Sequence, residues 1–412
     1  MDLDRKRWQV VAAGILFNLC AGATYVFSVF ETSLRQHLGC SKAEFALAFS
    51  LNVAFVPVGM LVSGAIADRK GPRPVVAAGG LLYGLGLLLA GYSNSLAWLY
   101  VTYGLMMSLG NGAAYGALVG AAVKWFPDKR GTVSGIVVSA LGTGTLVIAP
   151  IAQWMIDLPG LGVMGAFKVM GGVFIAAGLL ASCFVSKPPA GYRPRSMQND
   201  DAANAGADND THWPQMLRRC RFWMLYVMYM CGAFAGLMVV SQASAIAQEV
   251  TSLAPAAAAL VVSVIGLANL AGRMFWGALS DRVGRFETLS LMFVITAGVM
   301  FGLSTLASAA PTLVLAYALV ALCYGGYLGV FPSICADTFG SRNLTLNYAL
   351  MFSAFSFAGI LGPRVGAILR ESTGRYTEAF VTAGAMACIG LALALIARLA
   401  DSRAVSTKPP AV

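Results

Sequence analysis

Arg273 lies in the stretch LANLAGRMFWGALSDRVGRF, residues 267–286, inside a segment that otherwise reads as lipid-embedded. A permanent cation at bilayer depth costs at least about 2.5 kcal/mol, so its position calls for a chemical reason. The eight residues from Arg273 to Asp281 correspond to about 12 Å of helical rise, and half a hydrocarbon core is about 15 Å. Arg273 therefore falls near the midplane. A guanidinium is a planar fork of donors that meets a carboxylate with two parallel hydrogen bonds. All 18 Asp and Glu residues fall in loops or toward the ends of apolar segments. An ion pair at depth is thus disfavoured, and a bound carboxylate would supply the counter-charge. An arginine bonded to backbone carbonyls is the competing reading. Asn269, one turn earlier on the same face, is placed either to donate to a bound anion or to hold the Arg273 side chain.

The elements that carry these residues are legible from composition. The 412 residues are 58% apolar and 11% charged, far too little charge to cover a soluble domain of this length. The apolar residues fall in blocks of about twenty, the length that crosses a bilayer as a helix. Twelve such helices are expected, over 8–30, 44–67, 74–92, 97–123, 131–155, 165–185, 221–248, 255–279, 286–307, 311–335, 343–369 and 376–400. The fold class expected is all-α integral membrane.

The net charge of +10 does not indicate a nucleic-acid partner, because its distribution is topological. Of the 28 Lys and Arg, six (Arg35, Lys42, Lys168, Arg364, Arg370 and Arg375) lie at one set of helix ends and Arg273 lies inside the membrane. The others occupy the termini and the alternate loops. That asymmetry is the positive-inside signal, and it places both termini in the cytoplasm. The stretch SKPPAGYRPRSMQNDDAANAGADNDTHW, beginning at Ser186, is polar, rich in Pro, Asp and Asn and without periodicity. It reads as a cytoplasmic linker, 186–220, between a first six-helix bundle, 1–185, and a second, 221–412.

The halves repeat at one offset. GAIADRKG (64–71) returns as GALSDRVG (277–284), Phe126 as Phe339, Lys129 as Arg342 and Pro150 as Pro363. Parallel six-helix repeats are how many secondary transporters are built, with substrate near the midplane. Gly64 and Gly277 let neighbouring helices approach closely. Asp68 and Asp281, with Arg69, Lys70, Arg73, Arg282 and Arg285, are expected to form charge clusters that lock the halves in one state. Ordinary loop charge is the alternative for a single copy; recurrence in register favours the lock.

GAIADRKGPRP and GALSDRVGRF resemble the loop signature of the major facilitator superfamily, one copy per half. WFPDKRGTVSGI (125–136), GRMFWGALSDRVGR (272–285) and LNYALMFSAFSFAG (346–359) resemble the oxalate/formate antiporters and monocarboxylate transporters within it. The resemblance implies two six-helix bundles in pseudo-symmetry, alternating access and transport of small carboxylates. It also implies cavity roles for particular residues. Tyr115, ten residues before Trp125 and hence near the midplane, matches a substrate-cavity tyrosine of the oxalate/formate family. Tyr324 matches by position, and Tyr25 does so as a gate aromatic; Tyr327 is expected to pack. Where the oxalate exchangers carry a lysine in the eleventh helix, this chain has Phe355. With Phe352 it would form an apolar wall opposite one cation, which suits a monocarboxylate of the lactate, pyruvate or short-chain type better than a dicarboxylate. Both phenylalanines can instead pack helices. Animal-type monocarboxylate transporters hold a proton-coupling aspartate where this chain has Asn269, and a lysine in the first helix that this chain lacks.

ALGTGTLVIAP (140–150) suits close packing and a bend, with Leu141 and Thr145 as further cavity candidates. Asn52 and Gln242 either face the cavity or bond helices together. The eight cysteines show no metal or CxxC spacing, and neither metal, cofactor nor disulfide is expected. No cluster of nucleophile, base or ligands lies at depth, so an enzyme is not expected. The expected protein is a monomeric multi-pass transporter of a bacterial inner membrane. It moves a small carboxylate anion with a proton or in exchange for another carboxylate; an oxalate-type antiporter is the first alternative and a non-transporting carboxylate sensor the remote one.

Overall fold

A computed structural model describes residues 3–189, 191–194, 197, 210–251, 255–306 and 310–406. Most of the interior of the linker, and the side chain of Gln242, lie outside the described residues. Twelve helices are long and apolar enough to cross a membrane: α1 (Leu3–Leu38), α2 (Glu44–Lys70), α3 (Pro72–Ala90), α4 (Leu96–Trp125), α5 (Arg130–Asp157) and α6 (Gly162–Phe184), then α7 (Cys220–Ser241), α8 (Val261–Val283), α9 (Arg285–Leu303), α10 (Ala310–Phe339), α11 (Leu344–Thr373) and α12 (Thr377–Ala400). Among the described residues there is no strand. All twelve expected spans are present, and the protein is a multi-pass membrane protein.

The chain forms two compact units, Met1–Trp213 with Cys335–Phe352, and Pro214–Ile334 with Ser353–Val412. The end of α10 and the first turns of α11 thus belong to the first unit, although sequence order puts them in the second half. Within the first unit α3 packs on α6, α2 on α4 and α1 on α5; within the second, α12 packs on α9 and α7. Each copy of the repeated motif ends in a glycine with positive φ, Gly71 at +102° and Gly284 at +114°. There the chain reverses from α2 into α3 and from α8 into α9, in a backbone region that side chains resist.

Two spans depart from regular α-helix. α1 tightens to a 3₁₀ helix over Gly22–Phe30, and α4 widens to a π-helix over Tyr100–Met107. Both changes displace backbone groups from the usual ladder, and a bilayer offers no water to satisfy them. Side chains do so instead. Tyr83 donates its hydroxyl to the Cys20 carbonyl at 3.1 Å, Tyr103 to the Thr24 carbonyl at 3.0 Å, and Thr145 to the Gly22 carbonyl at 3.1 Å. Asn52, wholly buried, donates its amide to the Tyr103 carbonyl at 2.7 Å. Asn52 therefore bonds α2 to the widened turns of α4.

Tyr103→Phe leaves the Thr24 carbonyl without this donor. Interhelical hydrogen bonds in bilayers average about 0.6 kcal/mol, and orphaning a buried group in a soluble protein costs about 1–3. A loss of about 1 kcal/mol is expected, read as a lower unfolding midpoint. Tyr100→Phe, whose hydroxyl meets the Glu44 carbonyl at an exposed position, should change the midpoint much less.

Candidate functional site

In the second unit Arg273 is 6% exposed and Asn269 9%. Arg273 Nη2 donates to Asn269 Oδ1 at 2.9 Å, so the two residues, one turn apart, form a single group in which the amide oxygen orients the guanidinium. The Asn269 amide nitrogen is directed at the Ala321 carbonyl of α10, at 3.5 Å. α8 and α10 meet backbone to backbone here. A Cβ on Gly325 would overlap the Asn269 carbonyl, and one on Gly272 the Leu322 carbonyl. This contact holds the Asn269–Arg273 turn of α8 against the Ala321–Gly325 turn of α10. Tyr324, half-buried, stacks on Phe355 with ring centroids 6.0 Å apart and planes 13° apart. Tyr229 lies 6.1 Å from the same Phe355 ring. Tyr327 is buried against Phe293, as a packing residue would be.

In the first unit Tyr115, 5% exposed, lies 5.9 Å from Phe352, and Tyr348 lies 5.8 Å from the same ring. Phe352 and Phe355, one turn apart on α11, therefore join the aromatic clusters of different units. Leu141 is buried, and its carbonyl lies beside Gly22 where α5 meets α1. Tyr25 is 47% exposed, on the 3₁₀ stretch of α1, edge-on to Phe49 at 6.5 Å. Asn111, one turn before Tyr115 on α4 and only 5% exposed, was not singled out from the sequence. Its signal is the repeat, which equates it with Tyr324.

The repeated motif differs between its copies. A Cβ on Gly64 would come within 2.9 Å of the Leu346 Cα, the close approach expected of that glycine. Asp68 accepts from Lys124 at 2.7 Å and from the backbone N–H groups of Thr345 and Leu346 at 3.2 and 3.0 Å. A carboxylate at a helix N-terminus meets unsatisfied donors and the positive end of the dipole. Neither Arg69 nor Arg73 bonds the Asp68 carboxylate, and both are exposed. The partner is Lys124, which composition recorded only as a loop charge. In the second copy Asp281 pairs within its own motif, with Arg285 at 2.7 Å, and Arg285 also donates to Ser280 at 2.6 Å. Gly277 is buried and Arg282 exposed. The position equivalent to Lys124 is Asp337, which carries the opposite charge and pairs with Arg130 within the first unit.

The Major Facilitator Superfamily model matches residues 11–309 and 231–412. The chain belongs to this family of transporters. It is 29% identical to the oxalate:formate antiporter of Oxalobacter formigenes over 382 residues, covering 92% of this chain and 88% of that one. It is 26% identical to rat (Rattus norvegicus) monocarboxylate transporter 13 over 393 residues, covering 93% and 87%. Among solved structures, the Escherichia coli fucose:proton symporter FucP shares the fold with a TM-score of 0.73 at 13% identity, covering 94% of this chain and 98% of that one.

Gly325→Ala should push α10 off α8 beside Asn269. Overpacking of this kind costs about 1–3 kcal/mol. The unfolding midpoint should fall, and substrate uptake in proteoliposomes should fall further than the same substitution at Gly298, where a Cβ meets open space.

Proposed function

We propose that the protein is a secondary active transporter of small monocarboxylates, of the lactate, pyruvate or short-chain type, working by alternating access and coupled to protons. The observation that carries this reading is the Arg273–Asn269 pair: a guanidinium 6% exposed in an apolar span, with one donor nitrogen fixed by an amide on the same helix. Fixing one edge of the fork leaves less rotamer entropy to lose when a carboxylate docks. The stacked Tyr324 and Phe355 supply an apolar surface in the same unit. Tyr115 and Phe352, cavity candidates of the first unit, have their rings 5.9 Å apart. A single cation with aromatic surfaces suits one carboxylate and a small organic body. The similarity to a monocarboxylate transporter and to an oxalate:formate antiporter supports a carboxylate substrate. The antiporter likeness also supports exchange as the second reading, against which Phe355 stands in place of a second cation.

Asp68 is proposed as the conformational lock. Its bonds to Lys124 and to the first turn of α11 would have to break each time that turn of α11 moves away from α2. Following the positive-inside asymmetry, both termini are proposed to be cytoplasmic, in a bacterial inner membrane.

Arg273→Gln should lower carboxylate uptake at least about 30-fold, the loss when one partner of a buried charged pair is removed, while the protein still inserts and purifies as a single species. Unchanged uptake would sink the assignment. The coupling is tested by L-lactate uptake into proteoliposomes with and without an inside-alkaline gradient. Accumulation driven by the gradient, with no carboxylate inside, is the expected result; uptake only after preloading with a carboxylate would establish exchange. Asp68→Asn should destabilise the closed contact and shift the rate of substrate exchange, whereas Arg69→Gln, which leaves the Asp68 bonds intact, should shift it far less.

A further inference from the structure

The first unit contains a cavity of about 530 Å³ at the basic ends of its helices. It opens where α1 begins, where α2 turns into α3, and where α6 ends. Lys6, Lys70, Arg73 and Lys187 line it together with Gln9 and Ser186, and none of the described lining residues is acidic. Four cations of like sign repel one another, and Lys70 and Arg73, expected from the sequence to join the lock, are exposed and do not bond the Asp68 carboxylate.

Three further observations specify what the cavity would hold. The N-terminus of α3 forms part of its wall, with Gly71 and Pro72 leading into a helix of 19 residues. Pro72 and Pro74 have no N–H and Gly71 gives its own to the Ala67 carbonyl, so this terminus attracts an oxyanion through the positive end of its dipole and not through a row of N–H donors. Lys187 donates to the carbonyls of Asp68 and Arg69, so the end of α2 is tied to the same cavity. Burial and, after it, the nearby Lys124 charge hold the Lys187 ammonium below its ordinary range, and an anion beside it would counter both effects. The cavity also lies at the ends of membrane spans, beside Phe184, which is 46% exposed. That is the depth of lipid headgroups, and basic pockets between spans are a known mode of headgroup recognition.

We propose that this cavity is a binding site for a phosphate-bearing anion, filled in the membrane by the headgroup of an anionic phospholipid. The phosphate diester would sit among Lys6, Lys70 and Arg73, with its acyl chains passing Phe184. Through Lys187 the bound headgroup would brace the end of α2 that carries Asp68.

The full-length protein in detergent, supplemented in turn with phosphatidylglycerol, phosphatidylcholine and inorganic phosphate, tests the site by thermal unfolding. Phosphatidylglycerol should raise the midpoint saturably and phosphatidylcholine should not. Lys6→Gln with Arg73→Gln should weaken the apparent affinity for phosphatidylglycerol roughly 30-fold, the expectation for two surface cations. Arg35→Gln, on the opposite set of helix ends, should leave it unchanged. If the double variant does not fold, Lys6→Gln alone should still weaken the affinity about fivefold. Equal stabilisation by inorganic phosphate, lost in the same variants, would keep the anion site but assign its occupant to solution. Equal stabilisation by phosphatidylcholine, or an undiminished effect of phosphatidylglycerol on the variants, would overturn the proposal.

Discussion

Hydrocarbon supplies no hydrogen-bond partner, and the rest of this structure depends on how that constraint is met. A regular helix satisfies its own backbone, which is why twelve apolar segments become twelve helices. The constraint becomes informative where the helices are irregular. The tightened turns of α1 and the widened turns of α4 are covered by Tyr83, Tyr103, Thr145 and Asn52. Each joins two helices by one side-chain hydrogen bond. The irregular segments are thereby fixed against their neighbours, and they lie in the same first unit as Tyr25 and Tyr115.

The same constraint governs the charges. A guanidinium cannot be left in an apolar span without donors directed at something, and Asn269 takes one of them. The choice of asparagine has a chemical consequence. An aspartate there would set an opposite charge against Arg273, whereas the amide orients the guanidinium and adds no charge of its own. On the proposed reading, the amide also offers no titratable group to a proton that moves with the substrate.

The internal repeat brings out a difference between a motif and the work it does. Both copies contain Asp, Arg and Gly at matching positions, and both end in a positive-φ glycine that turns the chain. In one copy the carboxylate reaches a lysine on another helix and the N–H groups of a third; in the other it bonds to an arginine four residues away. The first contact joins three helices, and the second lies within one motif. Where the first copy has Lys124 the second repeat carries Asp337, so the partner that Asp68 finds on another helix is not repeated in kind.

The number and approximate limits of the spans, the repeat and the close approach at Gly64 were all legible in the amino-acid order. Each rests on periodicity, composition or rise along one helix. The proximity of Asn269 to Arg273 was legible for the same reason, since four residues make one turn. The partner of Asp68 was not, because Lys124 lies 56 residues away on another helix and Leu346 lies 278 away. Nor was the division of Phe352 and Phe355 between two units, or the gathering of Lys6, Arg73 and Lys187 around one cavity. The sequence by itself determined what each helix is, because lipid imposes length and polarity on every segment separately. Only the tertiary structure decided which faces meet, because helices that are apolar all round carry no periodic mark of their partners, and their contacts are set by backbone approach at glycines and by single hydrogen bonds between distant residues.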